Sequence, residues 1–254
     1  MKLIPTLLCA FALMGLTGVA LAEPKDGVNF RTLPVAQATE SGKKVEVTEF
    51  FAYYCPHCHV FEPALAAWVK KQGDNIVFKR VHFPGGSAND PEAHLYLTLE
   101  AMGKLGEYHS RVFRAWHVEH LRLIDEAAIF DWIAKNGIDK AQFAEAWNSF
   151  GVVTKLKRVG PTIASYEISN APTVVVDGRY VTSPSTASAA DPKASVTEKQ
   201  LSVMTTQVLD ALVAKVMKDS AAKPATPGTP AVPAKPATPA ASVKPTHPAK
   251  AAEK

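Results

Sequence analysis

Val45-Glu46-Val47-Thr48-Glu49-Phe50-Phe51-Ala52-Tyr53-Tyr54-Cys55-Pro56-His57-Cys58 is the stretch on which the fold turns. Val45 to Tyr54 is rich in Val, Thr, Phe and Tyr, which predicts a strand, and its near-continuous apolar end predicts burial on both faces. A helix is expected to begin where this strand stops. Cys55 is placed as its N-cap and Pro56 as its first residue, where a missing amide hydrogen costs nothing. The amides of His57 and Cys58 then point back at the Cys55 sulfur and, with the helix dipole, favour thiolate over thiol. The dipole supplies about 0.3 to 1 kcal/mol, and one pKa unit corresponds to about 1.36 kcal/mol. A strongly acidic Cys55 therefore also needs the direct amide hydrogen bonds and a contribution from His57. Cys58, in the first turn and facing inward, is expected to be the buried resolving thiol.

Two other readings of the pair carry less weight. A structural bridge closing so short a loop constrains little of the unfolded chain. Half a zinc site, with His57 and His59 nearby, lacks a second ligand pair at a suitable spacing. His117 and His120 beside Trp116 likewise have no identifiable third ligand and read as surface histidines.

Outward from the motif, residues 1–22 resemble an export signal: Lys2 gives the positive charge, Leu3 to Leu21 are almost all apolar, and Ala20-Leu21-Ala22 ends them as a small-x-small cleavage site. An uncleaved membrane anchor is the rival reading. Cys9 follows Leu8 inside the apolar run, so it is expected to be discarded with the signal. In an oxidising compartment, a catalytic cysteine pair has folding exported chains as partners. After Ser220 the chain becomes Ala, Pro, Thr and Lys, and Pro224, Pro227, Pro230, Pro233, Pro236 and Pro239 recur at the three-residue period of polyproline II. This tail carries five lysines against Glu253, which equals the whole chain's net charge of +4. The folded part is therefore near neutral, which argues against a nucleic-acid-binding face.

The body reads as strands and helices in alternation. Further strands are expected at Ile76 to Phe83, Thr173 to Val176 and, across the turn signal Asp177-Gly178, Arg179 to Thr182. Between them a long helical stretch shows Leu95, Leu99 and Met102, then Ile129, Trp132 and Ile133 ending at Asn136-Gly137, then Phe143, Trp147 and Phe150 as one helix capped by Asp139 and Gln142. A last helix is expected to start at Ser195 with Glu198 three residues on.

The segment from Glu49 to Cys58 resembles the active-site segment of the DsbA family of periplasmic thiol oxidases. The likeness covers most of the chain between signal and tail, and includes Pro63 and the strand after Asn170-Ala171-Pro172. It implies an α/β thioredoxin-like fold with an inserted helical domain. The corresponding boundaries are a signal at 1–22, thioredoxin-like parts at 23–86 and 156–219, a helical insertion at 87–155 and a tail at 220–254. It also implies that Pro56, His57 and Pro172 act with Cys55 and Cys58, Pro172 as a cis-proline facing the pair. Ala171 and Thr173 would line the substrate groove, Ala171 departing from the larger Val or Thr usual in the family. Glu49 would be the buried acid beneath the site, with Lys79 as its basic partner, since a charge on an apolar strand face is costly unless paired. The implied activity is donation of the Cys55–Cys58 disulfide to exported proteins with free cysteines, with reoxidation by a DsbB-like membrane quinone reductase. No metal or organic cofactor is expected, and the short stretch between Glu23 and the first strand suggests a monomer. A disulfide isomerase or reductase, or a peptide-binding chaperone with a structural disulfide, are the alternatives.

Overall fold

The computed structural model describes residues 23–86, 89–188 and 196–222. The expected signal at 1–22, the Pro-rich segment from 223 onward and the expected cap at Ser195 lie outside those residues. No helix among the described residues is long and apolar enough to cross a membrane.

The elements run in the order β1 (Arg31–Thr32), β2 (Val45–Phe51), α1 (Pro56–Gln72), β3 (Ile76–His82), α2 (Pro91–Ala101), α3 (Leu105–His117), α4 (Glu126–Lys135), α5 (Lys140–Trp147), α6 (Phe150–Ser165), β4 (Thr173–Val176), β5 (Tyr180–Thr182), α7 (Pro184–Ala187) and α8 (Glu198–Ala222). The strands form one mixed sheet in the order β1-β5-β4-β2-β3. Central strand β2 pairs in parallel with β3 and antiparallel with β4. All seven residues of β2 are buried, as its apolar run predicts. On one face Val45, Val47, Ile76, Val174 and Val176 pack with Phe61, Leu65 and Trp68 of α1 and Leu209 and Leu212 of α8. On the other, Phe50, Val175 and Val181 pack with residues of the α2–α6 block such as Leu95, Phe113 and Ile163.

Two sequence expectations change. Helices α2–α6 run from Pro91 to Ser165, so the expected boundary at 155 falls inside α6. Phe150 does not continue the helix of Phe143 and Trp147. Ser149 caps a new helix by accepting the amide of Val152, and Phe150 at its first position is 87% exposed. Helix α8 starts through Thr197, whose amide and hydroxyl both donate to Gln200 Oε1 at 2.8 Å while Oγ1 receives the Gln200 amide at 3.3 Å. Among the described residues Glu198 takes no part in this cap. Asp139 caps α5 as expected, accepting the Gln142 amide at 2.8 Å.

The β4–β5 hairpin turns through Asp177 and Gly178, which have φ of 54° and 65°. A Cβ at Gly178 would collide with the Gln37 carbonyl, whose residue's amide donates to the Gly178 carbonyl at 2.8 Å. Gly178→Ala is therefore expected to lower unfolding free energy by about 1–3 kcal/mol, from overpacking and the left-handed backbone together. Urea denaturation of the two proteins measures this, and equal midpoints would refute it.

Candidate active site

Cys55 is the N-cap of α1, with φ −82° and ψ 115°, and Pro56 is the first helical residue. The Cys58 amide donates to Cys55 Sγ at 3.3 Å. Both cysteines are free thiols, Cys55 at 8% exposure on the rim and Cys58 fully enclosed. The strongest influence on Cys55 is a hydrogen bond from the Cys58 thiol. Burial opposes it, the amides of Cys58 and His57 and the His57 charge add to it, and the balance lowers Cys55 to about 6. Burial, then the bond to Cys55, drives Cys58 far upward. The helix start thus acts as the sequence suggests, but the neighbouring thiol contributes more than either amide.

The Ala171–Pro172 bond is cis, and the Cys55 thiol lies 3.5 Å from the Ala171 carbonyl. Ala171 and Pro172 line a groove of about 220 Å³ together with His57. Thr173 does not face it. That residue is 3% exposed, its hydroxyl donates to the Asn170 carbonyl at 2.9 Å, and it lines a separate concavity on the far side of the loop. The His57 ring is largely exposed, with Nδ1 2.8 Å from Glu198.

Lys79 is not the partner of Glu49. In the parallel register Glu49 lies opposite Arg80, whereas Lys79 lies opposite Thr48, so Lys79 projects from the other face of the sheet. There it pairs with Glu46 at 2.9 Å and Glu40 at 3.3 Å. The Arg80 Nε donates to Glu49 at 2.7 Å, and its Nη2 donates to both oxygens of Glu62 at 3.0 and 2.8 Å. Glu62 lies 3.4 Å from His109 Nε2, and His109 Nδ1 lies 2.9 Å from the Tyr53 hydroxyl. Burial pushes Glu49 up to about 7 against the pull of Arg80. At Glu62 burial acts in the same direction, but the His109 hydrogen bond and the Arg80 charge outweigh it and hold the carboxyl below its ordinary range.

Sequence reading missed Arg80, Glu62, His109 and Glu198. Lone charged or polar residues in amphipathic segments carry no signal of the partner they meet. His117 also proves more than a surface histidine. Its Nε2 donates to the Tyr53 carbonyl at 2.8 Å, and its ring stacks on His59 with centroids 4.7 Å apart. Beneath Tyr53, His82 Nε2 accepts the Tyr53 amide at 3.1 Å. Among the described residues, His82, Asp90 and Glu92 are the one trio with possible metal-ligand atoms close together, within 4.8 Å. Asp90 is committed to the amides of Gly85 and Ala93, and burial pushes Glu92 up to about 8, which favours its neutral form.

Two outcomes test this geometry. Cys58→Ala removes the thiol donor and is expected to raise the midpoint of the Cys55 thiolate absorbance by about one to two units, the value of a hydrogen bond to a charged group. An unchanged midpoint would assign the acidity to the helix start alone. Arg80→Met strands two buried carboxylates and is expected to cost about 3–5 kcal/mol, more than Lys79→Met, which uncovers the single buried carboxylate of Glu46 while the Glu40 amide still donates to it. Chemical denaturation of both variants checks the order, and the reverse order would restore Lys79 as the partner.

Residues 46–192 match the model of the DSBA-like thioredoxin domain. Among curated relatives, the thiol:disulfide interchange protein DsbA of Burkholderia cepacia is 40% identical over 187 residues, covering 72% of this chain and 87% of that protein. The protein of the same name from Bordetella parapertussis is 36% identical over 179 residues, covering 70% and 85%. The crystal structure of Pseudomonas aeruginosa DsbA superposes with a TM-score of 0.68 at 29% identity, over 78% of this chain and 96% of that one. The chain belongs to the DSBA-like thioredoxin family and is a thiol:disulfide oxidoreductase built on the Cys55–Cys58 pair.

Proposed function

We propose that the chain is a thiol oxidase of the periplasm, which receives exported proteins with free cysteines as clients and passes its Cys55–Cys58 disulfide to them. The observation that carries this reading is the opposite displacement of the two thiols, Cys55 down to about 6 and Cys58 strongly up. A client thiolate attacks Cys55 Sγ, the Cys55–Cys58 bond breaks, and its electron pair leaves on Cys58. That sulfur takes up a proton, because its enclosed site favours the thiol. The client's second thiolate then attacks the client sulfur of the mixed disulfide and expels Cys55 as a stable thiolate, so the client loses two electrons and the protein gains them. Stabilising this leaving group makes the reduced protein the favoured form and the oxidised protein an oxidant.

Ala171 and Pro172 at the Cys55 sulfur would hold the client backbone, and Glu49, raised toward neutrality, would exchange protons with Cys58. Reoxidation would fall to a DsbB-like membrane quinone reductase, and the protein would act as a monomer without a metal or organic cofactor. The export-signal character of residues 1–22 supports the periplasmic location.

Equilibration of the purified protein with glutathione redox buffers is expected to give a potential well above about −200 mV, at the oxidising end for such dithiols. A value near about −270 mV would make it a reductase. A Cys55→Ser variant that kept its effect on clients would instead favour a chaperone. The sign of the pH dependence follows from the lowered Cys55. Its contribution to the stability of the reduced form is full near the ordinary thiol value of about 8.5 and is lost as pH falls through about 6. The melting-temperature advantage of reduced over oxidised protein is expected to shrink between pH 8 and pH 5, and a constant difference would contradict the acidity of Cys55.

A further inference from the structure

The groove beside Cys55 has an acidic wall. Its apolar lining comes from Val60 on α1, Ala171 and Pro172 on the loop before β4, Pro184 on α7 and Leu201 on α8. Glu198 and His57 are its titratable lining residues. At about 220 Å³ the space is smaller than the usual small-molecule pocket and suits one long side chain.

Among the described residues Glu198 has one ion-pair partner and no other side-chain contact that accounts for it. Gln200 pairs with Thr197 at the start of α8, and among the described residues the Glu198 carboxylate takes no part in that cap. Among the described residues its ion-pair partner is the ring of His57, two positions from Cys55, and its side chain is still 49% exposed. A carboxylate at the mouth of an apolar slot matches a side chain with a long hydrocarbon stem and a cationic head, which is lysine or arginine.

We propose that Glu198 makes this groove a subsite for a lysine or arginine flanking the reactive cysteine of the client, so that the protein oxidises basic cysteine-containing segments in preference to acidic ones. The inference rests on the thiol-oxidase reading. The client sulfur is bonded to Cys55 in the mixed disulfide, and the Ala171 carbonyl lies 3.5 Å from Cys55 Sγ. The client residues on either side of its cysteine therefore pass over the groove.

The test uses dithiol peptides identical except for Lys, Gln or Glu at a single position flanking one cysteine, in one series on each side. Second-order oxidation rates by the full chain are divided by the rates of the same peptides with oxidised glutathione, which removes the peptide's own effect on thiol acidity. The expected order is Lys over Gln over Glu in at least one series, with a Lys-to-Glu ratio of about two to five, the range of a solvent-exposed ion pair. The ratio should fall toward one in about 0.5 M salt, fall toward one in Glu198→Gln, and invert in Glu198→Lys. Because each ratio is taken within one variant, any effect of the substitution on His57 or Cys55 cancels. A flat order in the wild-type chain in both series, or a preference retained by Glu198→Gln, would overturn the subsite. Failure of the wild-type chain to oxidise any peptide faster than Cys55→Ser would overturn the oxidase reading instead.

Discussion

The burial of β2 along its whole length is the constraint on which the rest of the structure depends. A central strand enclosed on both faces needs cover on both. Helices α1 and α8 provide it on one side and the α2–α6 block on the other. Each large side chain removed from water contributes about 1.5–3 kcal/mol against about 1–2 kcal/mol to order one residue's backbone, so Phe50, Phe51 and Tyr53 offset the ordering of only a few residues and the sheet needs its cover on both faces. The same enclosure makes the two acids of β2 costly. Each is answered from the neighbouring strand, Glu46 by Lys79 and Glu49 by Arg80.

The chemistry follows from where that strand ends. It delivers Cys55 to the start of α1, where donors converge on its sulfur, and draws Cys58 into the core one turn later. The two thiols differ in burial and in the helix-start amides that meet Cys55, and the hydrogen bond between them amplifies the difference. Cys58 stays protonated because it is enclosed, and its proton then stabilises the anion at Cys55. Enclosing one thiol so acidifies the other. Arg80 extends the arrangement by joining Glu49 to Glu62 and, through His109, to the Tyr53 hydroxyl, so the helical block is tied to the strand that carries the motif.

Much of the fold and part of the site were legible in the sequence because they are local. The strand before the motif, Cys55 at the helix start, the hairpin at Asp177-Gly178 and the Asp139 cap each depend on a few consecutive residues whose preferences agree. The misreadings have equally specific causes. Phe143, Trp147 and Phe150 share a helical spacing, yet Ser149 between them is a stronger start signal than the spacing is a continuation signal. Lys79 and Arg80 are neighbouring cations of β3, and only the register shows that Arg80 is the one opposite Glu49.

The sequence by itself determined the dithiol, its place at a strand-to-helix junction and the direction in which Cys55 is displaced, because backbone donors at a helix start act on whatever residue occupies the cap. The tertiary structure alone decided which cation answers Glu49, since adjacent residues of β3 face opposite sides of the sheet and the register that selects Arg80 over Lys79 is a non-local pairing. It also decided that Thr173 is buried behind the loop that Ala171 presents to Cys55, and that a carboxylate from the last helix meets the motif histidine. The Cys55–Ala171 and His57–Glu198 contacts join segments more than a hundred residues apart, and neither spacing nor propensity encodes the distance that closes between them.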